Sequence, residues 1–191
     1  MAEKYLEFEQ DGVKYNLYDM PKGFVVKGDL DLSNKGLTEL PDLSDVVVEG
    51  NFDCSGNELT TLKGAPKKVG GHFDCFENEL TTLEGAPKEV GGDFECKGNR
   101  LKSLLHLPKM KEEGRIYCDD TLEQKYGISH DEFTANELNE SSLYQNEVKI
   151  YKLRLQKSQE RAEKEDKAVA DIKARFAAWQ AQQAQKDGLE K

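Results

Sequence analysis

Residues 50–70 read GNFDCSGNELTTLKGAPKKVG, and residues 71–91 repeat them as GHFDCFENELTTLEGAPKEVG, identical at 16 of 21 positions. A unit this short cannot enclose a core of its own. Self-similarity at a fixed short period therefore means one supersecondary unit stacked on copies of itself. The period continues downstream as GDFECKGNRLKSLLHLPKM from Gly92, and upstream as the looser GDLDLSNKGLTELPDLSDVVVEG from Gly28, with one extra residue. A half copy, GRIYC, starts at Gly114. The shared frame is G-x-[F/L]-x-[C/L]-x-x-N-x-L-T-x-L-x-x-x-P-x-x-V.

The frame dictates a coil. Alternation along NFDCS sends Phe52 and Cys54 to one face and Asn51, Asp53 and Ser55 to the other. Asn57, Asn78 and Asn99 follow the strands. An amide there can bond the backbone of the adjoining turn, whose polar groups the bend would otherwise bury unpaired. Leu59 with Leu62, and Leu80 with Leu83, fill the core behind the strand. GAPKKV and GAPKEV read as an extended return path, because proline disfavours helix in the residue before it. Helical periodicity does not fit within the period, so the convex side is expected to be irregular. The four cysteines, Cys54, Cys75, Cys96 and Cys118, are spaced 21, 21 and 22 apart. That matches the period rather than the close pairs of a zinc ribbon, and it reads as buried, reduced thiols in one structural slot.

These units resemble the short bacterial-type leucine-rich repeats, which run PxxLxxLxVxxNxLTxLP, in the variant found in bacteriophage and bacterial proteins. The resemblance spans about residues 21–118. It implies a parallel-stranded solenoid that binds other proteins, and it names no partner. Lys35 in the first Asn slot and Lys111 in the Val slot depart from the pattern, so the edge repeats should be less regular. Cys118-Asp119-Asp120 also resembles the Cys-x-Asp of bacterial leucine-rich-repeat ubiquitin ligases. Cys118 holds the repeat's buried slot, however, and the chain after it is far too short to resemble that ligase domain.

The expected fold is α+β. Residues 1–20 would form an N-terminal β-hairpin cap turning at Asp11-Gly12, and residues 21–118 a solenoid of about five 21–22-residue repeats with a parallel β-sheet. Residues 119–136 would be a capping segment with a short helix at TLEQKYGI, and residues 137–191 a long helical tail resembling a coiled coil. Residues 129–187 hold neither Gly nor Pro, and Ser129 with Glu132 makes a capping box. Val148, Tyr151, Leu155, Ser158, Ala162, Glu165, Val169, Ile172, Phe176 and Trp179 recur at alternating spacings of three and four. This is a heptad seam, apolar at both ends and weak at Ser158, Ala162 and Glu165. A continuous helix over residues 141–186 would be about 70 Å long. The tail reads as a self-associating coiled coil giving a homo-oligomer, or as a helical hairpin folding near KSQERAEKED, or as a helix docked on a partner.

A net charge of −10 argues against direct nucleic-acid binding, which depends on neutralising phosphates, and favours a basic protein partner. No apolar run suits a membrane span and MAEKYLEFEQ lacks signal-peptide features, so a cytoplasmic location is expected, with a virion as the alternative for a phage protein. His72, His106 and His130 show no metal-ligand spacing, and phosphate-binding, dinucleotide and nucleophile motifs are absent from the sequence. No catalytic residue, metal or cofactor is expected, and the chain reads as a non-enzyme.

The informative surface is the outward face of the strands. Its central column is Asp31, Asp53, Asp74, Glu95 and Tyr117, flanked by His72 on one side and Phe76 on the other. Like charges about 4.8 Å apart cost roughly 1 kcal/mol per adjacent pair even at water's dielectric. The face is either a solubilising surface or an acidic binding surface. The expected function is a non-catalytic protein–protein interaction module, in the phage setting an inhibitor of a host protein. The alternative is a structural, virion-associated component held in a complex by Val148, Tyr151, Leu155, Val169, Ile172, Phe176 and Trp179.

Overall fold

The computed structural model describes residues 6–111, 113–128 and 133–189, with side chains of the last helix as far as residue 177. The chain divides into two units, Met1–Asn146 and Glu147–Lys191.

The first unit opens with β1 (Glu7–Gln10) and β2 (Val13–Asn16), paired antiparallel across Asp11 and Gly12. Both turn residues lie in the left-handed region (φ 53° and 75°), as a two-residue turn matched to strand twist requires. The Phe8, Tyr15 and Phe24 rings pack together, with Tyr15 and Phe24 centroids 4.7 Å apart.

Every later coil contributes two short strands. In chain order these are β3 (Val25–Val26), β4 (Leu30–Asp31), β5 (Val47–Val48), β6 (Phe52–Asp53), β7 (Lys68–Val69), β8 (Phe73–Asp74), β9 (Glu89–Val90), β10 (Phe94–Glu95), β11 (Lys109–Met110) and β12 (Arg115–Tyr117). They assemble into two parallel ladders, β4-β6-β8-β10-β12 and β3-β5-β7-β9-β11. The fold is thus a parallel β-solenoid. The expectation of an irregular convex side is corrected: the return path is itself a sheet. Its strands are two residues long, too short for alternation to reveal. Stacking turns them into a ladder, because each V of KKVG or KEVG falls in register on the V of the coil before it.

Between the ladders lies a core built of columns. Phe52, Phe73 and Phe94 are fully buried and stack at 5.4 and 5.1 Å between centroids. Beside them run the four cysteines, all buried and free. The Cys54, Cys75 and Cys96 thiols donate to the next coil's carbonyls at Asp74, Glu95 and Tyr117, at 3.3, 3.2 and 3.2 Å. The asparagines sew coils together. Asn78 Oδ1 accepts from Leu59 N at 3.0 Å, while its Nδ2 donates to Cys54 O at 3.0 Å and Cys75 O at 3.2 Å. Asn57 and Asn99 repeat the scheme on their own neighbours.

At the far end β12 is covered by α1 (Asp120–Tyr126) and by β13 (Phe133–Thr134), which pairs antiparallel with it. α1 buries Leu122 and Tyr126 and ends on Gly127 at φ 71°. The Tyr126 hydroxyl accepts from Leu104 N at 3.1 Å. The expected Ser129–Glu132 capping box lies outside the described residues. A capping box does form at Thr134 and Glu137, starting α2 (Ala135–Glu140). α3 (Ser142–Leu189) then runs as one helix of 48 residues. The helical-hairpin reading of the tail is thereby corrected, for KSQERAEKED lies within α3 and offers no turn residue to break it.

Candidate interaction face

The β4-β6-β8-β10-β12 ladder sets Asp31, Asp53, Asp74, Glu95 and Tyr117 in one register column. Each carboxylate is oriented by its own strand end. Asp31, Asp53 and Asp74 accept from the amides of Ser33, Ser55 and Phe76 at 2.8 Å, and Glu95 from Lys97 N at 2.9 Å. Asp53 also accepts from the Ser55 hydroxyl at 2.6 Å. The middle of the column is half-buried, and charge there is costly. Partial burial, and secondarily Asp53, raises the Asp74 pKa above the usual carboxylate value, against the lowering effect of the Phe76 amide. Glu95 is raised by burial first, with Asp74 and Asp119 adding to it. At the open end of the column the Ser33 hydrogen bonds hold Asp31 below the usual value.

The flanking column does a different job from the one its exposure suggests. Asn51 N donates to Asp29 Oδ1 (2.6 Å), His72 N to Asn51 Oδ1 (2.8 Å), Asp93 N to His72 Nδ1 (3.0 Å) and Arg115 N to Asp93 Oδ1 (2.9 Å). Residues of different types thus fill one structural slot, each accepting from the next coil's amide. The His72 ring also sets Nδ1 3.3 Å from Asp93 Oδ2. Its outer edge remains exposed beside Asp74.

On the other flank stands Phe76, 38% exposed, in the slot that holds Ser55 one coil earlier. The next residue, Glu77, lies at φ 50°. Its counterparts Gly56 and Gly98 adopt φ 63° and 68°. A side chain there costs about 1 kcal/mol; Asn34 holds the same slot in the first coil at φ 54°, so this coil differs at both positions from its two Gly-bearing neighbours. The signal was legible as a Glu in a Gly slot, but its meaning depends on the dihedral.

The second ladder provides an internal comparison. Its outward column runs Val25, Val47, Lys68, Glu89 and Lys109 in register, its charged part alternating in sign. Lys68 Nζ lies 2.8 Å from Glu89 Oε2. Glu89 is held below the usual value by the Lys68 hydrogen bond and charge, with Lys109 adding to it. One face of the solenoid alternates charge and the other stacks like charge.

Cys118 is buried and its thiol is pushed up to about 12, by desolvation first and then by Glu123 and Asp119. A thiol so protonated is a poor nucleophile. Among the described residues, no group of three or more His, Cys, Asp or Glu is arranged to hold a metal ion.

In the second unit, Leu155, Val169, Ile172 and Phe176 are 46%, 49%, 64% and 57% exposed, and Tyr151 is 36% exposed. Val148 is half-buried, and the Trp179 side chain lies outside the described ones. Among the described residues, no helix is long and apolar enough to cross a membrane.

In comparison with known proteins, the chain matches no family model, no curated protein and no solved structure.

Proposed function

We propose that the chain is a non-catalytic protein-interaction module, built like the short leucine-rich-repeat proteins, whose acidic strand face binds a basic protein. The observation that carries this reading is the contrast between the two ladders. The Lys68–Glu89–Lys109 column shows that this solenoid accommodates alternating charge across coils. The Asp53–Asp74–Glu95 column forgoes it, although facing like charges destabilise a sheet. Beside that column Phe76 supplies an apolar centre to a charged rim, the makeup of an interface anchor. The resemblance to bacteriophage repeats makes an inhibitor of a basic host protein the first candidate role. The exposed apolar stripe of α3 favours a second role, that of an assembly component held through its tail.

The test compares capture from bacterial lysate by the immobilised full chain and by the Asp53→Lys with Asp74→Lys variant. Wild type should retain a discrete basic protein that salt releases, and the variant should lose it. Phe76→Ala should cost at least about 1 kcal/mol of affinity for that protein. Equal retention by a folded double variant at low salt would place binding elsewhere.

A further inference from the structure

We propose that α3 pairs with the same helix of a second copy of this chain, as a parallel, in-register, two-stranded coiled coil. The apolar positions of the seam are exposed: Leu155, Val169, Ile172 and Phe176 are each 46% or more open to solvent. A partner covering them removes that area from water, which is the dominant favourable term in association.

Charge selects the occupant and its direction. With Val148 and Leu155 at heptad position a, Glu147 and Arg161 stand at g, and Lys152 and Asp166 at e. In a parallel pair each g residue meets the e residue five positions further along the other helix. Glu147 then meets Lys152 of the second copy, and Arg161 meets Asp166, each contact forming twice by symmetry. The other g positions, Arg154 and Ala168, face Gln159 and Lys173, so no like charges meet between g and e positions. A fully overlapped antiparallel pair sets Lys152 against Lys173 and Arg154 against Arg175. Exposed ion pairs add little stability, yet their sign decides between registers.

The middle of the seam is weak. Glu165 occupies position d and would face its own twin, with Arg161 Nε 2.9 Å away on the same helix to offset the charge. Association is therefore held by the two apolar ends, and relieving the middle should strengthen it.

Sedimentation equilibrium of the full chain at neutral pH should give twice the 21.6 kDa chain mass at micromolar concentration. Ile172→Asp with Phe176→Asp should weaken association at least a hundredfold, and Glu165→Leu should tighten it at least tenfold. Direction is read with Leu155→Cys. In the parallel pair the two introduced thiols face each other, and added oxidised glutathione, itself reduced in the exchange, converts them to a covalent dimer. In the antiparallel pair Leu155 faces Ile172, and its twin lies about 25 Å away. The native cysteines are all buried, so they do not confuse the reading. A monomer at a concentration of 100 µM (roughly a hundredfold above the expected transition), a mass above the dimer, or a dimer that Leu155→Cys fails to cross-link would each overturn the proposal. The Asp53→Lys with Asp74→Lys variant should remain dimeric, which separates this pairing from the acidic-face reading.

Discussion

A β-carbon decides where coils of this protein can stack. An added Cβ at Gly91 would sit 2.0 Å from Gly70 O, and at Gly70 2.1 Å from Glu49 O, both rigid backbone atoms. Gly91→Ala should therefore cost about 3 kcal/mol, as overpacking at a site that cannot yield, read as a shift in urea midpoint without change in slope. Glu77 presents the opposite case, a side chain where the backbone prefers none. Glu77→Gly should stabilise by about 0.5–1 kcal/mol while leaving the spectra of the fold unchanged. The buried thiols of Cys54, Cys75 and Cys96 are raised well above their ordinary value, chiefly by desolvation. They should react with a thiol reagent at the rate of global unfolding, and fast labelling of the native protein would show that the strand faces are reversed.

Each ladder is an element whose energetics follow from what its register brings together. Asp74 and Glu95 are raised in the folded state, so their ionisation opposes folding. The penalty is complete above the folded pKa and is relieved as pH falls through it towards the unfolded value. Asp74→Asn keeps an oxygen acceptor for the Phe76 amide and removes the charge. It should raise the unfolding midpoint at neutral pH, by an amount that shrinks to nothing as pH falls below the ordinary carboxylate value. Asp31, held low, contributes with the opposite sign: its stabilisation is present at neutral pH and lost as pH falls through its lowered value. Asp53→Asn should act likewise, relieving the register pairs with Asp31 and Asp74 while keeping an acceptor for the Ser55 amide, and should raise the thermal midpoint while weakening the proposed partner's binding. Stability gained at the expense of binding is the mark of a face kept for function. A thermal midpoint that falls would instead make the column part of the fold.

At the scale of the molecule the chain divides within the first turns of α3, into Met1–Asn146 and Glu147–Lys191. A chain ending at Asn146 should keep the denaturant midpoint of the repeat unit, because the columns of Phe, Cys and Asn lie wholly within it. If α3 pairs as inferred, each assembly carries two acidic faces, and a partner with two basic sites would bind with avidity beyond either contact alone. The net charge of −10 adds long-range steering, so association should slow as salt shortens the Debye length.

The sequence by itself determined the coil: its period, its inward Phe and Cys, its outward carboxylates and the Asn in its turn. Each of these follows from alternation and from repetition, which are local and can be counted. The helical character of the tail was legible for the same reason, as a run without Gly or Pro, whereas that it runs unbroken rather than folding back near KSQERAEKED was decided by the structure. Only the tertiary structure decided what neighbouring coils do to one another. The second ladder exists because two-residue segments meet in register across 21 residues of chain, which no window along the sequence contains. His72 was read as a contact residue, and it serves also as a rung, since its acceptor role needs the amide of Asp93 brought beside it from the next coil. The strain at Glu77 required a dihedral angle, and the contrast between the Asp53–Asp74–Glu95 and Lys68–Glu89–Lys109 columns required knowing which residues stand side by side. Pattern along a chain reports the direction a side chain points, whereas register between coils decides what it meets there, and interaction energies depend on the second.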